Sequence, residues 1–177
     1  MTGTLADSIQ TATAWLARTA IMIAGASLIG MAGVEAWQVF ARYVLNASPG
    51  WTEPVALLLL VTAMSLGAAA GVRSAAHFGF FIVAQRSPPA VQRVLRVIAQ
   101  LVVAAVGVLL AWWGAKLFVD GLDVTMAGAA MPQSMPFLPL TVSGLLMAIF
   151  AIERLLSPPS DAAHEPSAHG TIEQESA

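Results

Sequence analysis

The chain has 177 residues, of which 58% are hydrophobic and only 10% charged, with a formal net charge of -2. An average soluble domain carries roughly 25% charged residues, so a water-facing globular surface is excluded and the mean hydropathy of +0.77 places the chain in lipid. The absence of cysteine excludes disulfides, thiolate metal sites, iron–sulfur clusters and cysteine nucleophiles, and the lack of a basic stripe excludes nucleic acid as a partner.

Taken in chain order, Asp7 stands where a signal peptide would carry basic residues, and the first apolar run outlasts a short signal core, so this run reads as a retained anchor. A bilayer core of roughly 30 Å takes about 20 helical residues, and only a helix satisfies its own backbone there without closing a barrel. The first span runs from about Thr19 to Phe40. The second opens at Thr52-Glu53-Pro54 and runs to about Val72; Thr52 suits a cap, and Pro54 a first-turn position that needs no amide donor. Phe78 to Ala84 is apolar but too short to cross and is followed by Gln85-Arg86-Ser87-Pro88-Pro89, which predicts a surface-lying or re-entrant segment between spans two and three. The third span covers about Val97 to Val119 and the fourth about Phe137 to Leu156. From Ser157 onward the Pro-, Ala- and Glu-rich tail has almost no large apolar residue and is expected to be disordered.

The expected architecture is therefore an all-α integral membrane domain over residues 1–156, with four transmembrane helices and a cytoplasmic tail over 157–177. Arg73, Arg86, Arg93 and Arg96 fall between spans two and three, and Lys and Arg are retained preferentially on the cytoplasmic side. Both termini are then cytoplasmic, with Arg18 and Arg154 inside and only Arg42 and Lys116 outside. Trp37, Tyr43, Trp51, Trp112 and Trp113 gather at the outer interface and Trp15 at the inner one, as aromatic belts require.

Small residues mark each span: Ala26, Gly30 and Gly33; Gly67 and Gly71; Ala104, Gly107, Ala111 and Ala115; Gly144, Ala148 and Ala151. Such stripes let membrane helices approach closely, within this chain or against a larger membrane partner. A transporter working alone usually needs ionisable groups or unwound polar helices at mid-membrane. Here span two offers Thr62 and Ser65, span four Thr141 and Ser143, and span three is apolar from Leu101 to Gly114. Glu35, on the outer part of span one, is the exception; it either reaches headgroups or a neighbouring polar chain, or meets a second subunit. His77 is the only histidine outside the tail, which leaves haem without paired axial ligands. No metal-ligand spacing, nucleophile–base pair or phosphate loop appears, so no cofactor and no enzymatic activity is expected.

Val39-Phe40-Ala41-Arg42-Tyr43-Val44-Leu45-Asn46, followed by Ser48-Pro49-Gly50-Trp51-Thr52-Glu53, resembles the signature of the small membrane subunit of tripartite ATP-independent periplasmic (TRAP) transporters, the DctQ-type family. There, an aromatic-x-Arg-Tyr-x-x-Asn segment ends the first helix and Trp-Thr-Glu-Glu opens the second. Gly67-Ala68-Ala69, Arg73, His77, the Trp112-Trp113-Gly114 run, the Pro-bearing loop before span four and Glu153-Arg154 extend the likeness over nearly the whole chain except the tail. Pro54 replaces the second Glu, and Phe81 stands where an acidic residue commonly follows the His.

The resemblance implies a bacterial inner-membrane subunit that scaffolds a large TRAP permease subunit during sodium-coupled uptake of an organic acid, a carboxylate delivered by a periplasmic solute-binding protein. Membrane lipid is the remaining partner. Candidate partner-interface or structural residues are Glu35, Arg42, Tyr43, Asn46, Trp51, Glu53, Gly67, Gly71, Arg73 and His77. At the outer corner, Arg42 and Asn46 are expected to tie the short loop to headgroups or to Glu53, with Trp51 fixing its depth. The alternatives are an autonomous small transporter or channel that gains a polar pathway by self-association, and a four-helix membrane assembly factor.

Overall fold

The computed structural model describes residues 2–74 and 88–156. The expected surface segment at 78–84, most of the connector around it and the tail from 157 lie outside the described residues. Four helices carry the fold: α1 (Thr2–Tyr43), α2 (Thr52–Ser74), α3 (Pro89–Asp120) and α4 (Phe137–Leu156). Each holds a segment long and apolar enough to cross a membrane: Gln10–Tyr43, Thr52–Arg73, Ala90–Asp120 and Phe137–Leu156. The protein is an all-α, multi-pass membrane protein.

Helices α1 and α3 start earlier than hydropathy alone suggests. Thr4 to Ala24 contains neither Gly nor Pro, so nothing stops the first helix where its apolar run begins, and α1 reaches 42 residues, about 63 Å at roughly 1.5 Å per residue. Helix α3 begins where two prolines permit it. Pro88 is held extended (φ -56°, ψ 149°) by the ring that follows it, and Pro89 takes the first helical turn, where no amide donor is needed. By contrast α4 has 20 residues, about 30 Å.

The helices are held by narrow seams of small side chains. Along α1, Thr13, Ala17, Ala20, Ala24 and Ser27 are buried, and Met31, Val34, Gln38 and Ala41 continue the same line. Their spacing alternates four and three residues, the repeat that keeps one seam facing a neighbour. Ala20 and Ala24 pack on Leu66 and Ala70 of α2, with Leu146 of α4 alongside. Ala17, Val72 and Phe150 form a second cluster at the other side of Leu146. Gly30 accepts Leu59 of α2.

The closest helix–helix approach is between α3 and α4. A methyl group at Gly144 would stand 2.5 Å from the Ala111 nitrogen and 2.7 Å from the Gly107 oxygen, and one at Gly107 would stand 2.8 Å from the Ala148 nitrogen. Gly114 lies under Thr141 and Gly121 under Ser134 in the same antiparallel register. Two small-xxx-small stripes therefore meet backbone to backbone.

The stripes of the first two spans behave differently. Ala26 and Gly33 are exposed, off the seam set by Ala20, Ala24 and Ser27, and Gly33 and Gly67 have open space where a side chain would go. Only Gly30 of the expected span-one stripe joins an internal contact.

Contacts run α1 to α2, α2 to α4 and α4 to α3, and α1 shares no comparable interface with α3. The helices thus form an open row, drawn together at the end where Thr13 of α1 meets Glu153 of α4. Large apolar side chains, among them Ile29, Met64, Val108, Leu109, Leu145 and Ile152, point outward; in water such patches would aggregate, and in lipid they are solvated.

The seam geometry makes a direct forecast. Gly144→Ala forces α3 and α4 apart and should cost about 1–3 kcal/mol, as overpacking does, whereas Gly67→Ala should leave stability unchanged or slightly raised. Equilibrium unfolding of the two variants in detergent micelles measures the difference.

Candidate functional site

Arg42, Tyr43, Asn46, Trp51, Glu53 and Arg73 fall into two polar corners at opposite ends of the row. The first corner joins α1 to α2. Helix α1 ends because Asn46 adopts a left-handed backbone, φ 56°, a conformation Asn tolerates better than other side chains bearing a Cβ. This turn lets the Ala47 amide donate back to the Ala41 carbonyl at 3.0 Å and follows the Val44-to-Phe40 bond at 2.8 Å, so the Phe40 and Ala41 carbonyls at the helix end are satisfied. Arg42 reaches across the turn and donates to the Ser48 hydroxyl at 3.4 Å. Its partner within the chain is thus Ser48 and not Glu53, which is exposed in the first turn of α2, where a carboxylate complements the helix dipole. The Thr52 hydroxyl does not cap the helix: it is fully buried and donates to the Pro49 carbonyl at 2.9 Å. Tyr43 and Trp51 stay exposed, at 79% and 45%, as interfacial anchors are.

This corner is braced by a contact that sequence reasoning did not single out. The loop between α3 and α4 folds back through an isolated bridge, Thr125 to Pro132, closed by Gln133-to-Val124 and Met126-to-Met131 hydrogen bonds of 2.8 and 2.9 Å. Its tip, Gly128, has φ 86° and lies directly on Gly50 of the α1–α2 turn; a methyl group there would stand 2.4 Å from the Gly50 oxygen. Two glycines, one required by its positive φ and both by the close approach, fasten the two hairpins together. The signal available in sequence was only the presence of Gly in two turn-rich loops.

The second corner lies at the opposite end and joins α1, α2 and α4. Arg73, in the last turn of α2, places Nε 3.7 Å from Glu153 Oε2 and donates through Nη2 to the Gln10 carbonyl at 3.2 Å. The other carboxylate oxygen of Glu153 accepts from the Thr13 hydroxyl at 2.7 Å. Arg154 donates to the Val72 carbonyl at 2.9 Å, satisfying a helix end. Thr13 was missed, although its place in the four-three repeat with Ala17 and Ala20 marks it as an inward-facing polar residue.

The remaining candidates stand apart. Glu35 is exposed on α1, and among the described residues no ion pair involves it. Gly67 and Gly71 lie on α2 toward the Arg73 corner, and Gly71 has an interaction within the chain. His77 lies outside the described residues.

The hydroxyl groups of the spans do not line a route. Thr62 donates to the Leu58 carbonyl at 2.7 Å, Thr141 to Phe137 at 2.8 Å, Ser143 to Leu140 at 2.9 Å and Ser65 to Thr62 at 3.5 Å. Each is consumed by its own helix one turn back.

Comparison with known families matches residues 31–158 to tripartite ATP-independent periplasmic transporters, DctQ component. The chain belongs to the DctQ family. The matched region begins in the second half of α1, takes in the first corner and the α2 and α4 residues of the second, and ends just past α4. Comparison with curated proteins finds no match. Membership makes the chain the small membrane component of a TRAP transporter, a transporter component and not an enzyme family. Within this DctQ protein the Arg42–Glu53 signature is the helix stop and the brace of the first corner, and Arg73 with Glu153-Arg154 is the clamp of the second.

Because Asn46 is selected by its backbone angle, Asn46→Gly should keep the unfolding midpoint, whereas Asn46→Val should lower stability by about 1–2 kcal/mol. Thermal unfolding of both variants in the same detergent reads the contrast.

Proposed function

We propose that this DctQ protein is the fixed scaffold of its transporter. It binds the large permease subunit along the exposed face of the helix row and enlarges the static part of the complex during sodium-coupled uptake of an organic acid. The acid, a carboxylate by the family resemblance, is delivered by a periplasmic solute-binding protein. The observation that carries this reading is the combination of an open row with hydroxyls consumed by their own helices. A subunit so built has broad apolar surface to offer a partner and no hydrated path to offer a solute.

Orientation follows from charge. Arg73 and Arg154 lie at one end of the row with Arg18, and the antiparallel course of α3 brings Arg93 and Arg96 to that end as well. By the positive-inside rule this end faces the cytoplasm of a bacterial inner membrane, and both termini lie on that side. The first corner, with Tyr43 and Trp51, then faces the periplasm, where the binding protein docks on the assembled complex.

Glu35 is the polar marker of the partner-facing surface. A lone exposed carboxylate within a span is costly unless a partner or water meets it, and a cationic or hydrogen-bonding side chain of the large subunit supplies that partner.

Co-expression with the large permease tests the reading. The permease should co-purify stoichiometrically with this chain, and Glu35→Ala should reduce its recovery several-fold while leaving the unfolding midpoint of the isolated chain unchanged. Recovery of an unrelated complex, or solute flux in liposomes holding this chain alone, would refute it.

A further inference from the structure

Beside the second corner, a groove of about 550 Å³ opens between α1 and α2, and its walls include Thr11, Trp15, Arg18, Ile21, Met22 and Arg73. We infer that this groove binds the phosphate headgroup of an anionic phospholipid, held between the Arg18 and Arg73 guanidinium groups, with one acyl chain lying on Ile21 and Met22.

Charge balance at this end points to an anion. Glu153 is shared by Arg73 and the neighbouring Arg154, and Arg96 lies within electrostatic range of the same arginine. Among the described residues Arg18 has no ion-pair partner, and the one carboxylate paired with Arg73 is that of Glu153. Among the described residues the positive charge therefore exceeds the negative at a depth set by the ends of α2 and α4, where uncompensated charge is expensive. No acidic side chain lines the groove, so the ammonium of a zwitterionic headgroup would find no counter-charge there.

The walls point to a lipid rather than a soluble anion. Trp15 is 67% exposed beside Arg18, as an indole at headgroup depth is, and Ile21 and Met22, about one turn further along α1, are more than half exposed. A headgroup fixed at the two guanidinium groups places its first methylenes on these side chains. Inorganic phosphate would leave that apolar wall unused. The site depends only on the chain being embedded in lipid, and it stands whether or not the scaffold role holds.

Native mass spectrometry of the full-length chain, released from mild detergent after titration with phosphatidylglycerol or phosphatidylcholine, tests the site. Phosphatidylglycerol should be retained about fivefold or more over phosphatidylcholine, the preference expected when a guanidinium meets an anionic headgroup. Arg18→Gln should abolish most of that preference, Arg18→Lys should keep it, and Arg93→Gln, which removes an exposed arginine outside the groove, should not change it. Equal retention of the two lipids, an Arg18→Gln variant that folds and still discriminates, or an equal loss in Arg93→Gln would overturn the assignment. So would displacement of the lipid by inorganic phosphate, which would show a soluble-anion site instead.

Discussion

Close approach of backbones at small residues is the constraint on which this structure rests. Between helices surrounded by lipid there is no water to expel, so association depends on contact area and on how near two backbones can come. Gly107, Ala111, Gly144 and Ala148 bring α3 and α4 into direct contact, and Ala17, Ala20 and Ala24 do the same work more loosely for α1 on α2. Once the small residues are spent inside the seams, the large ones point out. The chain is a thin layer with apolar surface on its exposed sides.

Apart from Glu35, the charged side chains and their partners lie toward the ends of that layer, where they serve closure. At one end a left-handed asparagine, an arginine–serine contact and two touching glycines lock the turns. At the other, one carboxylate gathers Thr13 and Arg73 while Arg154 closes the end of α2. Between the corners, the hydroxyls of Thr62, Ser65, Thr141 and Ser143 bond within their own helices. A component built this way suits a static role beside a moving partner: its ends are fixed, its middle is dry, and its sides are free to be covered.

Much of the fold was legible because lipid imposes it. Four runs of sufficient length and hydropathy dictate four helices, and the apolar gap at 78–84 is too short to be a fifth. The start of α1 was not legible from hydropathy, since the alanine-rich, proline-free stretch before Thr19 continues as helix without needing to be apolar. Which small residues of α1 face inward was not legible either. Ala26 and Gly33 are as small as Ala20 and Ala24, and only the phase of the neighbouring helix decides which small residues are covered. The signature from Arg42 to Glu53 spans the first corner, and its internal side-chain bonds run from Arg42 to Ser48 and from Thr52 to Pro49, within the turn itself. The Glu153–Thr13 contact joins residues 140 positions apart, and no local pattern pairs two residues so distant.

The openness of the row is the central claim, and an interhelical distance measures it most directly. The natural sequence lacks cysteine, so spin labels on Ile29→Cys of α1 and Trp112→Cys of α3, both exposed positions, report one distance by pulsed electron resonance in nanodiscs. An open row separates these helices by two or more interhelical steps, roughly 16–20 Å or longer. A separation of a single step, roughly 8–10 Å, would mean that α1 and α3 close a bundle with an interior of its own.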